Sequence, residues 1–153
     1  MKIAVRKARA EDAYALWLWA NDADTRAASF GRPPIAWEDH VRWLGERLRR
    51  SDHLILVAES ETGQPLGTVR FDTGDDWRIA RLSYALAPEA RGRGRARPML
   101  SAGLDELYRC RPGVVVHADV LRDNHRSMRL FTGFAWYCEE VDGEWVRFWS
   151  KRV

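Results

Sequence analysis

Apolar and polar positions change period repeatedly along this chain, and the changes mark its elements. Ile3-Ala4-Val5-Arg6 predicts a first strand. Ala13, Leu16, Trp17 and Ala20 then recur at helical spacing behind Glu11 and Asp12, and Asn21-Asp22-Ala23-Asp24 stops that helix. Residues 22–36 form a long connection. Trp37, Val41, Leu44 and Leu48 mark a second helix, with Glu38 and Asp39 complementing its N-terminal dipole and Ala36 where a Ser or Thr cap is expected. Apolar runs at 53–59, 66–71 and 79–87 predict three strands, parted by turns at 62–65 and 74–76. Connections this short make an antiparallel meander. Met99, Leu100, Gly103, Leu104 and Leu107 repeat at helical spacing, Pro112-Gly113 breaks the chain, and residues 114–120 form an interior-type strand. Asp123-Asn124 caps a helix carrying Ser127, Leu130 and Phe131. Two closing strands, about 136–141 and 144–149, meet at Asp142-Gly143, a tight hairpin signal.

Residues 86–96, Leu-Ala-Pro-Glu-Ala-Arg-Gly-Arg-Gly-Arg-Ala, run from strand to helix. Gly92 and Gly94 can take backbone angles that a side chain forbids, and they let a ligand approach the main chain. The helix leaves its first N–H groups unpaired, and its dipole favours an anion there. Pro98 is tolerated in the first turn, which starts the helix near Gly94 or Arg95. Arg91, Arg93 and Arg95 add positive charge, so the stretch suits a phosphate group. It is neither a Walker loop nor a dinucleotide fingerprint. A basic surface turn or an RGG-like nucleic-acid segment is the plain alternative. RGG segments are disordered and repetitive, whereas this one lies between two apolar elements.

Composition narrows the picture. With 153 residues, 46% of them hydrophobic, and eight tryptophans, the chain is a single globular domain rather than a disordered one. The net charge of +3 rests almost wholly on arginine, since only Lys2, Lys7 and Lys151 are lysine. That balance suits an anionic cofactor as well as nucleic acid. Cys110 and Cys138 show no metal spacing, and reduced thiols fit a cytoplasmic protein. The N-terminus lacks the apolar core of a signal peptide, and the apolar runs are too short to span a bilayer.

Arg91-Gly92-Arg93-Gly94-Arg95-Ala96 resembles the acyl-CoA signature of the GNAT superfamily of N-acetyltransferases, Arg/Gln-x-x-Gly-x-Gly/Ala. The order strand, two helices, three strands, helix, strand, helix, two strands is also that superfamily's order, so the resemblance spans the chain. Asn124-x-x-Ser127-x-x-Leu130-Phe131 is similar to its second motif. The resemblance implies one α+β domain over residues 1–153. Its mostly antiparallel, twisted sheet of about seven strands would be splayed in the middle and flanked by about four helices. It implies acetyl-CoA as cosubstrate, with no metal. The contacts would come from Leu86, Ala87, Arg91, Gly92, Arg93, Gly94, Arg95, Ala96, Asn124, Ser127 and Phe131. Asn124 serves equally as a plain helix cap, and both roles can hold; for Ser127 the alternative is a solvent-facing hydroxyl. Relatives often carry Leu-Tyr where Leu130-Phe131 stands, and that tyrosine can protonate the leaving thiolate; Phe131 cannot. Their Gly-Phe falls on Ala135-Trp136 in gapless register, against a competing Gly133-Phe134.

The acceptor side resembles acetyltransferases of nucleotide-activated aminosugars in pseudaminic-acid and related surface-glycan pathways. The residues are Trp19-Ala20-Asn21-Asp22, Arg26, Phe30, Pro34-Ile35 and His40-x-x-Trp43, with Val69-Arg70-Phe71-Asp72. This implies a small-molecule amine, an aminosugar nucleotide, contacted by Asn21, Arg26, Phe30 and His40. No nucleic acid or membrane partner is implied, and a homodimer is compatible. Arg26 and Arg32 beside Phe30 suit a diphosphate and a stacked base. A polyamine would want a carboxylate-lined cleft, and Asp22, Asp24, Glu38 and Asp39 keep that alternative open. Trp17, Trp19, Trp37 and Trp43 serve core packing equally well. The chemistry is attack of a neutral amine on a thioester, with the oxyanion held by a backbone N–H near Leu86. Arg81 stands where many relatives carry a glutamate base, which leaves Asp119, His40 and Tyr84 as catalytic candidates. Peptide acetylation of the ribosomal-protein type and a non-catalytic acyl-CoA-binding module are the other readings.

Overall fold

Among the described residues, seven strands form one sheet in the order β1-β2-β3-β4-β5-β7-β6. They are β1 (Ala4–Lys7), β2 (His53–Glu59), β3 (Pro65–Asp72), β4 (Ile79–Leu86), β5 (Val115–Leu121), β6 (Tyr137–Glu140) and β7 (Trp145–Trp149). The computed structural model describes residues 2–29, 33–74 and 76–152. Every neighbouring pair is antiparallel except β4 and β5. Among the described residues five α-helices join them: α1 (Ala13–Asn21), α2 (Ala23–Ala27), α3 (Trp37–Arg49), α4 (Ala96–Cys110) and α5 (His125–Gly133). The expected α+β architecture is therefore present.

Each face of the sheet carries its own core. On one, Val69, Phe71, Leu82, Val116 and Phe148 meet Met99, Leu100, Leu104 and Leu107 of α4 and Phe131 of α5. On the other, Leu16 and Trp19 of α1 and Leu44 of α3 cover Ile55, Val57 and Leu66. Burial of such side chains is worth about 1.5–3 kcal/mol each, which holds the layers together.

Three local features differ from the sequence pattern and a fourth adds to it. The 22–36 connection contains α2, started by the Asp22 carboxylate, which accepts from the N–H groups of Asp24 and Thr25 at 3.2 and 3.3 Å. That capping satisfies amides a short helix otherwise leaves bare. The expected stripe of α3 is turned: Trp37, Val41 and Leu48 are exposed, and His40 is buried beside Leu44. His40 tolerates burial because Nε2 donates to the Ala13 carbonyl at 2.9 Å. The closing hairpin is wider than a two-residue turn. Val141 pairs with Trp145 at 3.1 Å, and Asp142 Oδ1 accepts from Glu144 and Trp145 N–H. Finally, β3 and β4 approach closely at Gly67, where a Cβ would lie 2.4 Å from the Ala85 carbonyl oxygen and 2.8 Å from Met99 Sδ.

Candidate active site

The site begins where β4 and β5 part. Their parallel pairing covers only Ile79–Arg81 against Val115–His117. Beyond it, β5 pairs with β7 and β4 with β3. Ala87 N–H bonds to the Leu66 carbonyl at 2.8 Å. By the alternation of an antiparallel ladder, Ala85 and Ala87 point their amides at β3, whereas Tyr84 and Leu86 point theirs into the gap. Two backbone donors thus face the space that β5 vacates.

The glycine turn lies at the far end of that gap. Gly92 and Gly94 have φ of +73° and +68°, the left-handed region that favours glycine, and nothing lies within 4 Å of where a Cβ would sit. Helix α4 follows with no side-chain cap at Arg95. Pro98 is its third residue, in the first turn as expected. Arg95 Nε is buried without a hydrogen-bond partner among the described residues, an unspent donor beside the bare helix end. This arrangement fits a pyrophosphate. Arg91 is committed elsewhere: Nη2 donates to Asp22 at 2.6 Å and to Thr25 Oγ1 at 3.3 Å, with Leu86 O at 3.4 Å. Its guanidinium holds the Asp22 carboxyl below the usual carboxylate range and clamps the turn to α2. The local positive charge accordingly comes from Arg93 and Arg95, not from all three arginines.

Helix α5 flanks the gap on the β5 side. Asn124 Oδ1 accepts from Ser127 N–H at 3.2 Å, so it caps the helix. Ser127 is buried rather than solvent-facing, and its Oγ is 2.6 Å from the Tyr84 hydroxyl. Burial pushes the Tyr84 phenol up from its ordinary value, against the Ser127 bond and the charge of Arg126. Phe131, 1% exposed, stacks with Phe148 at 5.5 Å and meets the Tyr84 ring edge-on at 6.3 Å.

On the opposite face the strand registers align Arg70 and Asp72, Ser83 and Arg81, His117 and Asp119, and Arg147 and Trp149. A cavity of about 380 Å³ opens there, lined by Asp72, Thr73, Gly74, Ile79, Arg81 and His117. The carboxylates are taken. Asp72 receives Arg70 at 3.0 Å and His53, and Asp119 receives a two-pronged bond from Arg147 at 2.6 and 3.1 Å. Arg26 Nε donates to the Ala20 carbonyl at 2.6 Å. Burial, and then the like charge of Arg70, push its guanidinium down from the ordinary value.

Residues 2–134 match the acetyltransferase (GNAT) domain family. The chain belongs to that family. An uncharacterized protein of Methanocaldococcus jannaschii is 27% identical over 152 residues, which is 95% of this chain. The chain spans only 30% of that relative's length. Among solved structures, the spermidine N-acetyltransferase of Vibrio cholerae in complex with CoA and spermine matches at TM-score 0.88 and 16% identity, over 97% of this chain and 94% of that one. An N-acetyltransferase of Staphylococcus aureus Mu50 matches at TM-score 0.78 and 21% identity, over 97% and 98%. At these identities both carry the fold alone.

Within this GNAT domain the residues singled out in the sequence divide into two groups. Leu86, Ala87 and residues 91–96 gather at the turn, with Asn124, Ser127 and Phe131 across the gap. The others lie outside that cluster or make structural contacts of their own. Asn21 donates to Ile35 O at 2.9 Å and accepts from Ile35 N–H at 2.6 Å, a clasp that Trp17 Nε1 joins at 2.8 Å. His40 pins α3 to α1 and is flanked by Trp37 and Trp43. Asp119 receives both prongs of the Arg147 guanidinium. Tyr84 lies at the gap, but a raised phenol holds its proton and cannot accept one. Phe30, with Arg32, lies outside the described residues. Sequence reading missed the Tyr84 amide and the Tyr84–Ser127 contact; period-2 spacing from Leu86 was the only available signal for the amide.

Proposed function

We propose that this chain is an acetyl-CoA-dependent N-acetyltransferase. The observation that carries the reading is the combination of a left-handed Gly92/Gly94 turn, a bare α4 N-terminus and backbone amides facing the β4–β5 gap. Acetyl-CoA would supply an acetyl group on a thioester. The amides of residues 92–96 and Arg95 would hold its diphosphate. The amides of Tyr84 and Leu86 would stabilise negative charge on the carbonyl oxygen under attack. Asn124 stays in its capping role and orients the start of α5. A cytoplasmic setting fits the two free, exposed cysteines.

The acceptor in this reading is a primary amine on an anionic small molecule, of which an aminosugar nucleotide is the fitting class. Arg26, Arg70, Arg81 and Arg147 support it as cations gathered on this face, with Arg26 and Arg70 near enough to act on each other's charge. A polyamine is the second reading, favoured by the spermine complex of the Vibrio cholerae structure. Turnover of acetyl-CoA against aminosugar nucleotides, polyamines and peptides decides between them. Saturable acetylation of a polyamine and none of any aminosugar nucleotide would overturn the first. Gly94→Asp tests the donor site separately. Its Cβ meets nothing within 4 Å, at the cost of some backbone strain at φ +68°, and the side chain brings a negative charge to the diphosphate. Calorimetry should show acetyl-CoA binding lost with the fold intact, and unchanged affinity refutes the assignment.

A further inference from the structure

Thioester aminolysis releases a thiolate, which needs a proton or a strong donor as the C–S bond breaks. Helix α5 offers an apolar ring, Phe131, enclosed by Phe134, Trp136 and Phe148. The hydroxyl nearby comes from the other side of the gap. Tyr84 reaches from β4 to Ser127 on α5, Oη to Oγ 2.6 Å, and its ring lies edge-on to Phe131.

We propose that Tyr84 is the acid of the reaction, giving its phenolic proton to the departing sulfur, with Ser127 as the positioning residue that aims the hydroxyl. The inference rests on the acetyl-CoA reading above. Three observations carry it. The Tyr84 amide and hydroxyl belong to one residue in the half of β4 that β5 has left, so oxyanion donor and proton donor are fixed by one stretch of backbone. The Ser127 hydroxyl can accept from or donate to Oη, which lets Tyr84 turn its proton outward without leaving Ser127 unpaired. The phenol also stays protonated through neutral pH, because burial raises it. Proton balance is simple. The amine nitrogen bonds to the carbonyl carbon and loses one proton to solvent. The C–S pair goes to sulfur, Tyr84 Oη gives sulfur a proton, and the phenolate regains one from solvent. The charged group that bears on Tyr84 is Arg126, whose positive charge eases the transient phenolate.

The test uses CoA itself as probe and needs no acceptor. The thiol of CoA bound to the full chain is titrated by thiolate absorbance in the unaltered protein, Tyr84→Phe, Ser127→Ala and the double variant. A donor aimed at sulfur stabilises the thiolate, so the bound thiol should titrate below free CoA. Tyr84→Phe should raise it by about one unit, about tenfold less thiolate at fixed pH. Ser127→Ala should give a smaller rise. The double variant removes both hydroxyls and leaves no buried group unpaired, so it repairs packing. It should nonetheless titrate like Tyr84→Phe. Equal titration of the unaltered and Tyr84→Phe proteins overturns the proposal, as does recovery in the double variant, which would mark a structural role. If the unaltered chain binds no CoA, the acetyl-CoA reading itself falls, and this is seen before any variant is made.

Discussion

Ala135 holds a backbone conformation, φ +60°, that a side chain makes costly. It closes α5 in a Schellman arrangement. Ala135 N–H reaches the Thr132 carbonyl at 2.9 Å, and Trp136 N–H reaches that of Phe131 at 3.3 Å. The position after Phe134 therefore asks for glycine, which is the residue the gapless register places there in relatives. Ala135→Gly should raise stability by about 1 kcal/mol, read as a higher melting temperature with no change in CoA affinity. A lower melting temperature would mean that the Ala135 methyl contributes more than its strain costs. The residue scale also shows what single letters can and cannot disclose. Gly92, Gly94 and Pro98 disclosed the turn because their constraints are local. Arg91 did not disclose its partner, because Asp22 lies 69 residues away in sequence.

At the scale of elements, β4 is the piece on which both halves of the site depend, and Gly67 sets where it lies. A methyl there would meet the Ala85 carbonyl oxygen at 2.4 Å, which is main chain and cannot rotate aside. Gly67→Ala should destabilise the fold by about 3 kcal/mol, measured by denaturant unfolding. It should also weaken CoA binding, because Ala85 and Leu86 must shift with the strand. A variant as stable as the parent would show that β3 yields instead. The elements that the sequence pattern missed were missed for physical reasons. Helix α2 has five residues, too few to show a period, and only the Asp22 cap marks it. Helix α3 is turned because pattern reading weighs His40 as polar and Trp37 as apolar. The Ala13 carbonyl satisfies His40, while Trp37 and Tyr14 rest on each other's edges at 6.2 Å near the surface. Tertiary partners decided both cases. The long, strongly periodic α4 had its buried residues Met99, Leu100, Gly103, Leu104 and Leu107 legible in full.

For the whole molecule, the two faces of the sheet impose one joint pH response. His40 is buried between α1 and α3, and His117 lies on β5 near Arg147 and Arg81. Burial pushes both below the ordinary histidine value. A histidine depressed in the folded state is protonated first in the unfolded chain. Between the folded values and about pH 6.5, unfolding therefore takes up protons, and stability rises with pH. The carboxylates held low by arginine, Asp12 beside Arg6 and Asp22 beside Arg91, act in the same direction but at lower pH, below about 4. The two windows separate. The melting temperature should accordingly fall between about pH 7.5 and 5.5, above the window of Asp12 and Asp22. His40→Gln isolates one term, because a glutamine amide can still donate to the Ala13 carbonyl but takes no proton. Its melting temperature should depend less steeply on pH in that interval while changing little at pH about 7.5. A slope identical to the parent's would assign the acid response to His117 alone, and with it to the open face of the sheet rather than to the α1–α3 seam.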